Sequence, residues 1–421
     1  MKVLIFSFGT RGDIEPYAAF AARLVAEGHH AVLAVPASYQ SMLQGTGVEF
    51  ASVGSQMDHV MREGMSGVTG PAEALRIIPR MTDAMRVSLK EQWETAQRVM
   101  PAVLVSHPKA LGGFHIAERL GIPFVASLPL PFLTPTAAFP VPFMTAALPA
   151  RMNRLTYQFN RFTGVAYGGM INTFRTRQLG MRRASRVSDY LHAAGGRPVP
   201  VLYPFSRHVV PVPPDYPASA HVTGYWFREA EQNVWTPPRE LASFLEQGGP
   251  VIYVGFGSMG FGRQAAARGK VLLEALQTSG VRAVVATGWG GISLESSDQV
   301  LALDEVPHSW LFPRVAAVVH HGGSGTTAAG LRAGRPTLVC PVLGDQPFWG
   351  SRVRALGVGP APLALRHATP EKLAQRIKEL VSTETFARHA ATVQEGIRTE
   401  DGTGTAVEIL QGIVDEAARR R

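Results

Sequence analysis

The sequence predicts an α/β protein built from two doubly wound, Rossmann-like domains. Two observations predict it. Short apolar runs alternate with helical patterns, as in βαβ units that build a parallel sheet. That alternation stops in a proline-rich passage (Pro198, Pro200, Pro204, Pro211, Pro213, Pro214, Pro217, Pro237, Pro238) and then starts again. The expected division is a unit over 1–220, a linker over 221–238 and a second unit over 239–402. Residues 403–421 form a C-terminal helix free to return to the first unit.

Residues 3–7 (Val-Leu-Ile-Phe-Ser) read as a buried first strand, and 15–27 as a helix closed by Gly28. Further strands are expected at 31–35, 102–106 and 124–127. After the linker the expected strands are 251–255, 282–287, 300–303, 316–320 and 337–339. A helix over 263–278 belongs to this half, with others starting near Ser324, near Phe348 and after Pro370. Ligands of such sheets bind at the strands' carboxyl ends, beside helix N-termini.

Composition narrows the class. With 46% apolar and 17% charged residues, the chain is neither disordered nor collagen-like. No apolar run approaches the roughly 18 residues of a membrane span, and the N-terminal run is too short for a secretory signal, so a cytoplasmic location is expected. Cys340, the single cysteine, has no internal disulfide partner and reads as core. The net charge of +9 is concentrated: between Met144 and Pro214 stand ten Arg and one acid, Asp189. No nucleic-acid reader module accompanies them. Tyr157, Phe159, Phe162, Tyr167 and Phe174 interleave with these Arg, so peripheral membrane contact through 151–207 stands beside a solvated basic face as a reading.

Three loops carry chemistry. His320-His-Gly-Gly-Ser-Gly-Thr-Thr327 follows a strand and opens a helix. Its glycines leave backbone N–H groups free at a positive dipole end, which suits a diphosphate, and His320 adds a side-chain donor. The same residues would serve a tight strand–helix turn. Asp345 and Gln346, in Gly344-Asp-Gln-Pro347, can bridge vicinal hydroxyls or simply cap a helix. Phe8-Gly-Thr-Arg-Gly-Asp13 lacks the third glycine of a dinucleotide loop but brings Asp13 to a helix start. There a desolvated carboxylate can take a proton from a hydroxyl, or act only as a cap. No D-x-D pair is present to hold a metal–diphosphate complex.

Together these motifs resemble the family-1 glycosyltransferases of the GT-B fold, most of all the bacterial natural-product and sterol glucosyltransferase branch. The matching stretches are Gly9-Thr-Arg-Gly-Asp13 with Pro16, Gly255-Phe-Gly-Ser-Met259, Val306-Pro-His308, 320–327 and Gly344-Asp-Gln346, in the family's order. The resemblance implies an N-terminal acceptor-binding domain and a C-terminal nucleotide-sugar domain. It implies Asp13 as catalytic base and Gly12 as a donor-binding residue. It places Ser258, His320, Gly322, Gly323, Ser324, Gly325 and Thr326 at the donor diphosphate, Val306 and His308 at the base, and Asp345 with Gln346 at the donor sugar. Plant relatives stack a tryptophan on the base where this chain has Glu305, which leaves Trp289 as the candidate stacking residue. His107, in Ser-His-Pro108, falls where some relatives place a partner for the base.

The resemblance implies a metal-independent, inverting transferase that uses a nucleotide sugar, UDP-glucose before TDP-sugars, as co-substrate and needs no resident cofactor. The implied acceptor is an apolar hydroxyl compound: a sterol, polyketide or phenol. Met61, Met65, Met81 and Met85 and the aromatics of 130–180 suit an adaptable pocket, although core packing explains them equally. Two other classes are weighed: a catalytically silent homologue that activates a transferase, and a sugar-nucleotide epimerase of the same fold.

Overall fold

The structure is a computed structural model that describes residues 1–67, 71–144, 148–228, 235–257, 265–288 and 292–420. Seven short apolar strands form the first sheet: β1 (Lys2–Phe6), β2 (His30–Val35), β3 (Glu49–Ser52), β4 (Val103–Ser106), β5 (Phe124–Ser127), β6 (Val201–Tyr203) and β7 (Ala220–Val222). They lie in the order β3-β2-β1-β4-β5-β6-β7, and every pairing is parallel. The second sheet holds β8 (Val251–Gly255), β9 (Arg282–Ala286), β10 (Val300–Leu303), β11 (Ala317–His320) and β12 (Thr337–Val339). Its order is β10-β9-β8-β11-β12, again all parallel. Strands covered on both faces read as continuous apolar runs, and β8 and β11 are buried at every residue.

Helices cover both faces of each sheet. In the N-terminal unit these include α1 (Arg11–Ala26), α2 (Ser55–Gly67), α3 (Pro71–Val99), α4 (Gly113–Leu120), α5 (Ala150–Thr156) and α6 (Phe159–Arg177). In the C-terminal unit they include α7 (Arg239–Glu246), α8 (Ala265–Ser279), α9 (His308–Leu311), α10 (Ser324–Arg332), α11 (Gln346–Ala355), α12 (Pro370–Ser382) and α13 (Glu384–Arg398). The last helix, α14 (Gly402–Arg419), leaves that unit: Ala406, Val407 and Leu410 join the core of α1 and the first sheet. Two residues of β7 fall inside the stretch expected to be a linker. α1 starts four residues before its expected start, because a capping pair of Thr10 and Asp13 holds a first turn ahead of Pro16. α11 starts at Gln346 rather than near Phe348, with Asp345 at its N-cap.

The strand order reverses once in each sheet, between β1 and β4 and between β8 and β11. Loops leaving adjacent strands there run in opposite directions and open a crevice. The two crevices face each other across a cleft: Gly12 of α1 lies opposite Gly325 of α10, and Arg11 pairs with Glu305. Beneath the cleft one apolar cluster joins the units. It packs Ala126, Val201 and Tyr203 of the first sheet's region with Leu331, Trp349 and Val393 of the second.

Candidate active site

Asp13 and His107 meet at the first switch point, on the loops that follow β1 and β4. Asp13 is the third residue of α1, and its Oδ2 accepts from the Thr10 N–H at 2.8 Å and the Thr10 hydroxyl at 3.1 Å. Lys109 Nζ donates to the same oxygen at 2.8 Å. Only 16% of the Asp13 side chain is exposed. Gly9 makes this approach feasible: its φ is +131°, and a Cβ there would fall 2.2 Å from Asp13 Oδ2 and 2.8 Å from Lys109 Nζ.

His107 is buried, and its Nδ1 accepts from the Lys109 N–H at 3.1 Å. The ring proton of neutral His107 therefore sits on Nε2, 3.6 Å from Asp13 Oδ1. Burial, reinforced by Lys109, pushes the His107 pKa down to about 3, so the ring is neutral at physiological pH. Tyr17 packs edge-on to that ring and donates to the Ser127 carbonyl at 2.6 Å.

One expectation needs correction. Burial alone would raise the Asp13 pKa, the condition set for a strong base. Lys109 above all, then His107 and the Thr10 N–H bond, together outweigh burial and hold the carboxyl below its ordinary 3.8. Lys109 was missed by sequence reasoning. The available signal was its place, two residues beyond His107 in the turn after β4, in a chain with only six Lys among 41 basic residues.

The second switch point carries a different chemistry. β11 ends at His320, and α10 starts at Ser324 with Gly323 as its N-cap. Gly322 has φ +93°, and a Cβ there would strike Val339 Cγ1 at 2.6 Å, so the turn requires glycine. The Gly323 carbonyl accepts from the Thr327 N–H and hydroxyl, both at 2.9 Å. His320 is fully buried, and its Nδ1 accepts from the Gly322 N–H at 2.9 Å. Its Nε2 therefore bears the proton, and it has no hydrogen-bond partner among the described residues. Burial, then His321 and His308, keeps His320 well below 6.5 and neutral.

A buried, orphaned N–H beside a glycine-rich helix start fits a ligand rich in acceptor oxygens. Buried Val306 precedes α9, and half-buried His308 opens it. The His308 ring stacks on Phe312, and its Nε2 lies 3.2 Å from the Tyr253 hydroxyl. Ser258 and Trp289 lie outside the described residues.

Asp345 and Gln346 reach the cleft from the loop after β12. Trp349 Nε1 donates to Asp345 Oδ2 at 2.9 Å. Burial raises the Asp345 pKa, and Asp13 across the cleft adds in the same direction against the Trp349 bond. Gln346 is buried, and its Oε1 accepts from the N–H groups of Val342 at 2.7 Å and Leu343 at 3.0 Å. In this conformation its amide oxygen shapes its own loop. Glu305 is paired with Arg11. Cys340 is free and buried, with its thiol pushed up to about 12, as core chemistry requires.

Two parallel Rossmann-like sheets whose switch points face across one cleft define the GT-B class of glycosyltransferase folds. The comparisons agree. Residues 3–139 match the glycosyltransferase family 28 N-terminal domain, and 292–412 match the erythromycin biosynthesis protein CIII-like C-terminal domain. Two sterol 3-beta-glucosyltransferases of Arabidopsis thaliana are 34% and 32% identical over 97% of this chain, which spans 65% and 67% of their lengths. One from Cryptococcus neoformans is 34% identical, and the chain spans 27% of it. Among solved structures, the kitacinnamycin glycotransferase superposes with a TM-score of 0.73 at 19% identity, covering 98% of each chain. The calicheamicin glycosyltransferase CalG4 superposes at 0.69 and 16%, again over 98% of each. The chain belongs to the family-1 glycosyltransferases of the GT-B fold. These long-matching relatives are plant and fungal, so the expected bacterial branch finds no support among them.

Proposed function

We propose that this chain transfers a sugar from a nucleoside diphosphate sugar to a hydroxyl of an apolar acceptor, with inversion and without a metal ion. The division of labour follows the two units: acceptor binding by 1–220 and donor binding by 239–402. The observation that carries the reading is the pairing of unlike switch points. A carboxylate backed by a neutral histidine stands on one side, and a glycine-rich helix start with an orphaned histidine N–H on the other.

In this reading Asp13 takes the proton of the acceptor hydroxyl as its oxygen attacks the anomeric carbon. The bond from that carbon to the diphosphate oxygen breaks on the opposite face, and the electron pair leaves with the nucleoside diphosphate. The N-terminus of α10 and His320 Nε2–H receive that charge, preorganised and shielded from water. His107 Nε2–H, 3.6 Å from Asp13 Oδ1 and without a hydrogen-bond partner among the described residues, stands ready to steady the Asp13 carboxylate once the acceptor is bound. Asp345 and Gln346 hold the sugar, and the acceptor hydroxyl replaces Lys109 at Asp13. The names of the relatives favour glucose as the sugar and a sterol as the acceptor, with a polyketide or phenol next, and UDP-glucose is the donor to test before TDP-sugars.

The Lys109–Asp13 ion pair is the one observation that suits the other reading, a catalytically silent partner of an active transferase. Calorimetric titration with UDP, TDP and UDP-glucose in metal-free buffer, followed by a sterol turnover assay, separates them. Nucleotide binding with turnover supports the transferase. Absence of nucleotide binding, or binding without turnover on any acceptor, overturns the transferase and favours the silent partner.

A further inference from the structure

The consecutive helices α5 and α6, joined through helical Tyr157 and Gln158, are packed with much of their polarity inward. Their buried face carries Asn153, Asn160, Asn172 and Arg175 beside Tyr157, Ile171 and Phe174. Their nitrogens bond inside the protein: Asn160 Nδ2 donates to the Phe132 and Leu133 carbonyls, both at 3.1 Å, and Arg175 Nη1 meets Glu118 at 2.6 Å. The outward face holds Leu155 (64% exposed), Phe159 (45%), Phe162 (61%) and Val165 (50%). Spacings of three and four residues set these four on one stripe of the helical surface. Scattered exposed apolar residues are ordinary, but a contiguous stripe outside polar-lined helices marks a surface built for an apolar phase.

Charge decides which phase. Arg151, Arg154 and Arg161 are exposed around the stripe, with Arg182, Arg183 and Arg186 beyond it. Two acids reach this rim: Asp215 lies 3.6 Å from Arg154, and mostly covered Asp189 lies within 4 Å of Arg161 and His192, which leaves Arg151, Arg182, Arg183 and Arg186 in excess. An apolar stripe rimmed by arginine is complementary to acyl chains under anionic headgroups. No helix among the described residues is long and apolar enough to cross a membrane, so the contact is with one leaflet. The stripe also connects inward. Phe162 stacks on Phe159, Phe159 meets Phe143 at 4.6 Å, and Phe143 meets Phe132 at 5.6 Å on the loop after β5. Phe139 of the same loop meets Phe348 of α11 across the cleft at 5.6 Å.

We propose that the outward face of α5–α6 docks this protein on an anionic lipid surface. Its use, to bring the cleft to a lipid-dissolved acceptor, rests on the acceptor class proposed above; the docking itself does not.

The test is co-sedimentation of the full chain with phosphatidylcholine vesicles, with and without phosphatidylglycerol. Binding to the anionic vesicles that falls with salt is expected. Leu155→Ser combined with Phe162→Ser should lower partitioning roughly a hundredfold, about tenfold for each apolar side chain kept in water. Arg151→Glu should lower it roughly tenfold on anionic vesicles alone. Melting temperature and UDP calorimetry on each variant confirm that the fold and the donor site are unchanged. Absence of binding to anionic vesicles, or binding that survives Leu155→Ser/Phe162→Ser, overturns the proposal. So does a dimer in light scattering that the double substitution dissolves, which would assign the stripe to a second copy of the chain. Vesicle binding without nucleotide binding would instead sink the transferase reading and leave the docking surface standing.

Discussion

The two switch points share a topology and differ in electrostatics. At β1/β4 the loops deliver an anion, a cation and a neutral imidazole: Asp13, Lys109 and His107. At β8/β11 the described residues deliver glycine backbone, a helix start and histidines that burial keeps neutral. The first can hold or exchange a proton. The second can only hold negative charge, through N–H dipoles that need no counter-ion. The fold places both sites, but residue chemistry divides their work.

Removing the carboxylate tests that division most severely. Asp13→Asn should lower turnover by roughly a thousandfold, within the range of general-base catalysis, and leave UDP affinity within about twofold. Equal turnover would strip the first switch point of its proton. The counterpart is His320→Ala, which removes a neutral donor to a charged group. The donor KM should rise roughly tenfold to a hundredfold with the acceptor KM steady. A reversed pattern would exchange the two sites' roles.

Lys109→Met probes how the first site is tuned. With the ammonium gone, burial dominates, so the Asp13 pKa rises and the acid limb of the kcat/KM profile moves to higher pH. An unmoved limb would separate Lys109 from the base. The stability sign follows from the depressed carboxyl: the pairing stabilises above the ordinary carboxylate pKa of 3.8 and loses that effect as pH falls through the folded value. The melting difference between wild type and variant should therefore shrink on acidification. The smallest effect belongs to Glu305→Gln at the cleft rim. Arg11 and Glu305 are 52% and 72% exposed, so a shift of no more than ~2 °C in Tm is expected. A larger shift would make that pair a clasp between the units.

Much of the site was legible because each part lies within one short segment. The Asp13 turn, the glycine run after His320 and the Asp345-Gln346 loop each span fewer than ten residues, and local backbone chemistry explains them. Apolar spacing places the start of α1 at residue 15, whereas the capping pair, which spacing does not register, starts the helix at Arg11. Gln346 was read by residue type alone; its burial against Val342 and Leu343 depends on how the loop folds back.

The sequence by itself determined the alternation of strands and helices, the restart after the prolines, and the glycine-rich helix start. Periodicity and glycine are properties of neighbouring residues. Only the tertiary structure decided that Lys109 meets Asp13 across 96 residues, reversing the expected shift in basicity. It alone decided that α14 packs its Ala406, Val407 and Leu410 into the core of α1, and that α5–α6 turns Asn153 and Asn160 inward and Phe159 and Phe162 out. Each of these depends on which surfaces come to face one another, and no local pattern carries that.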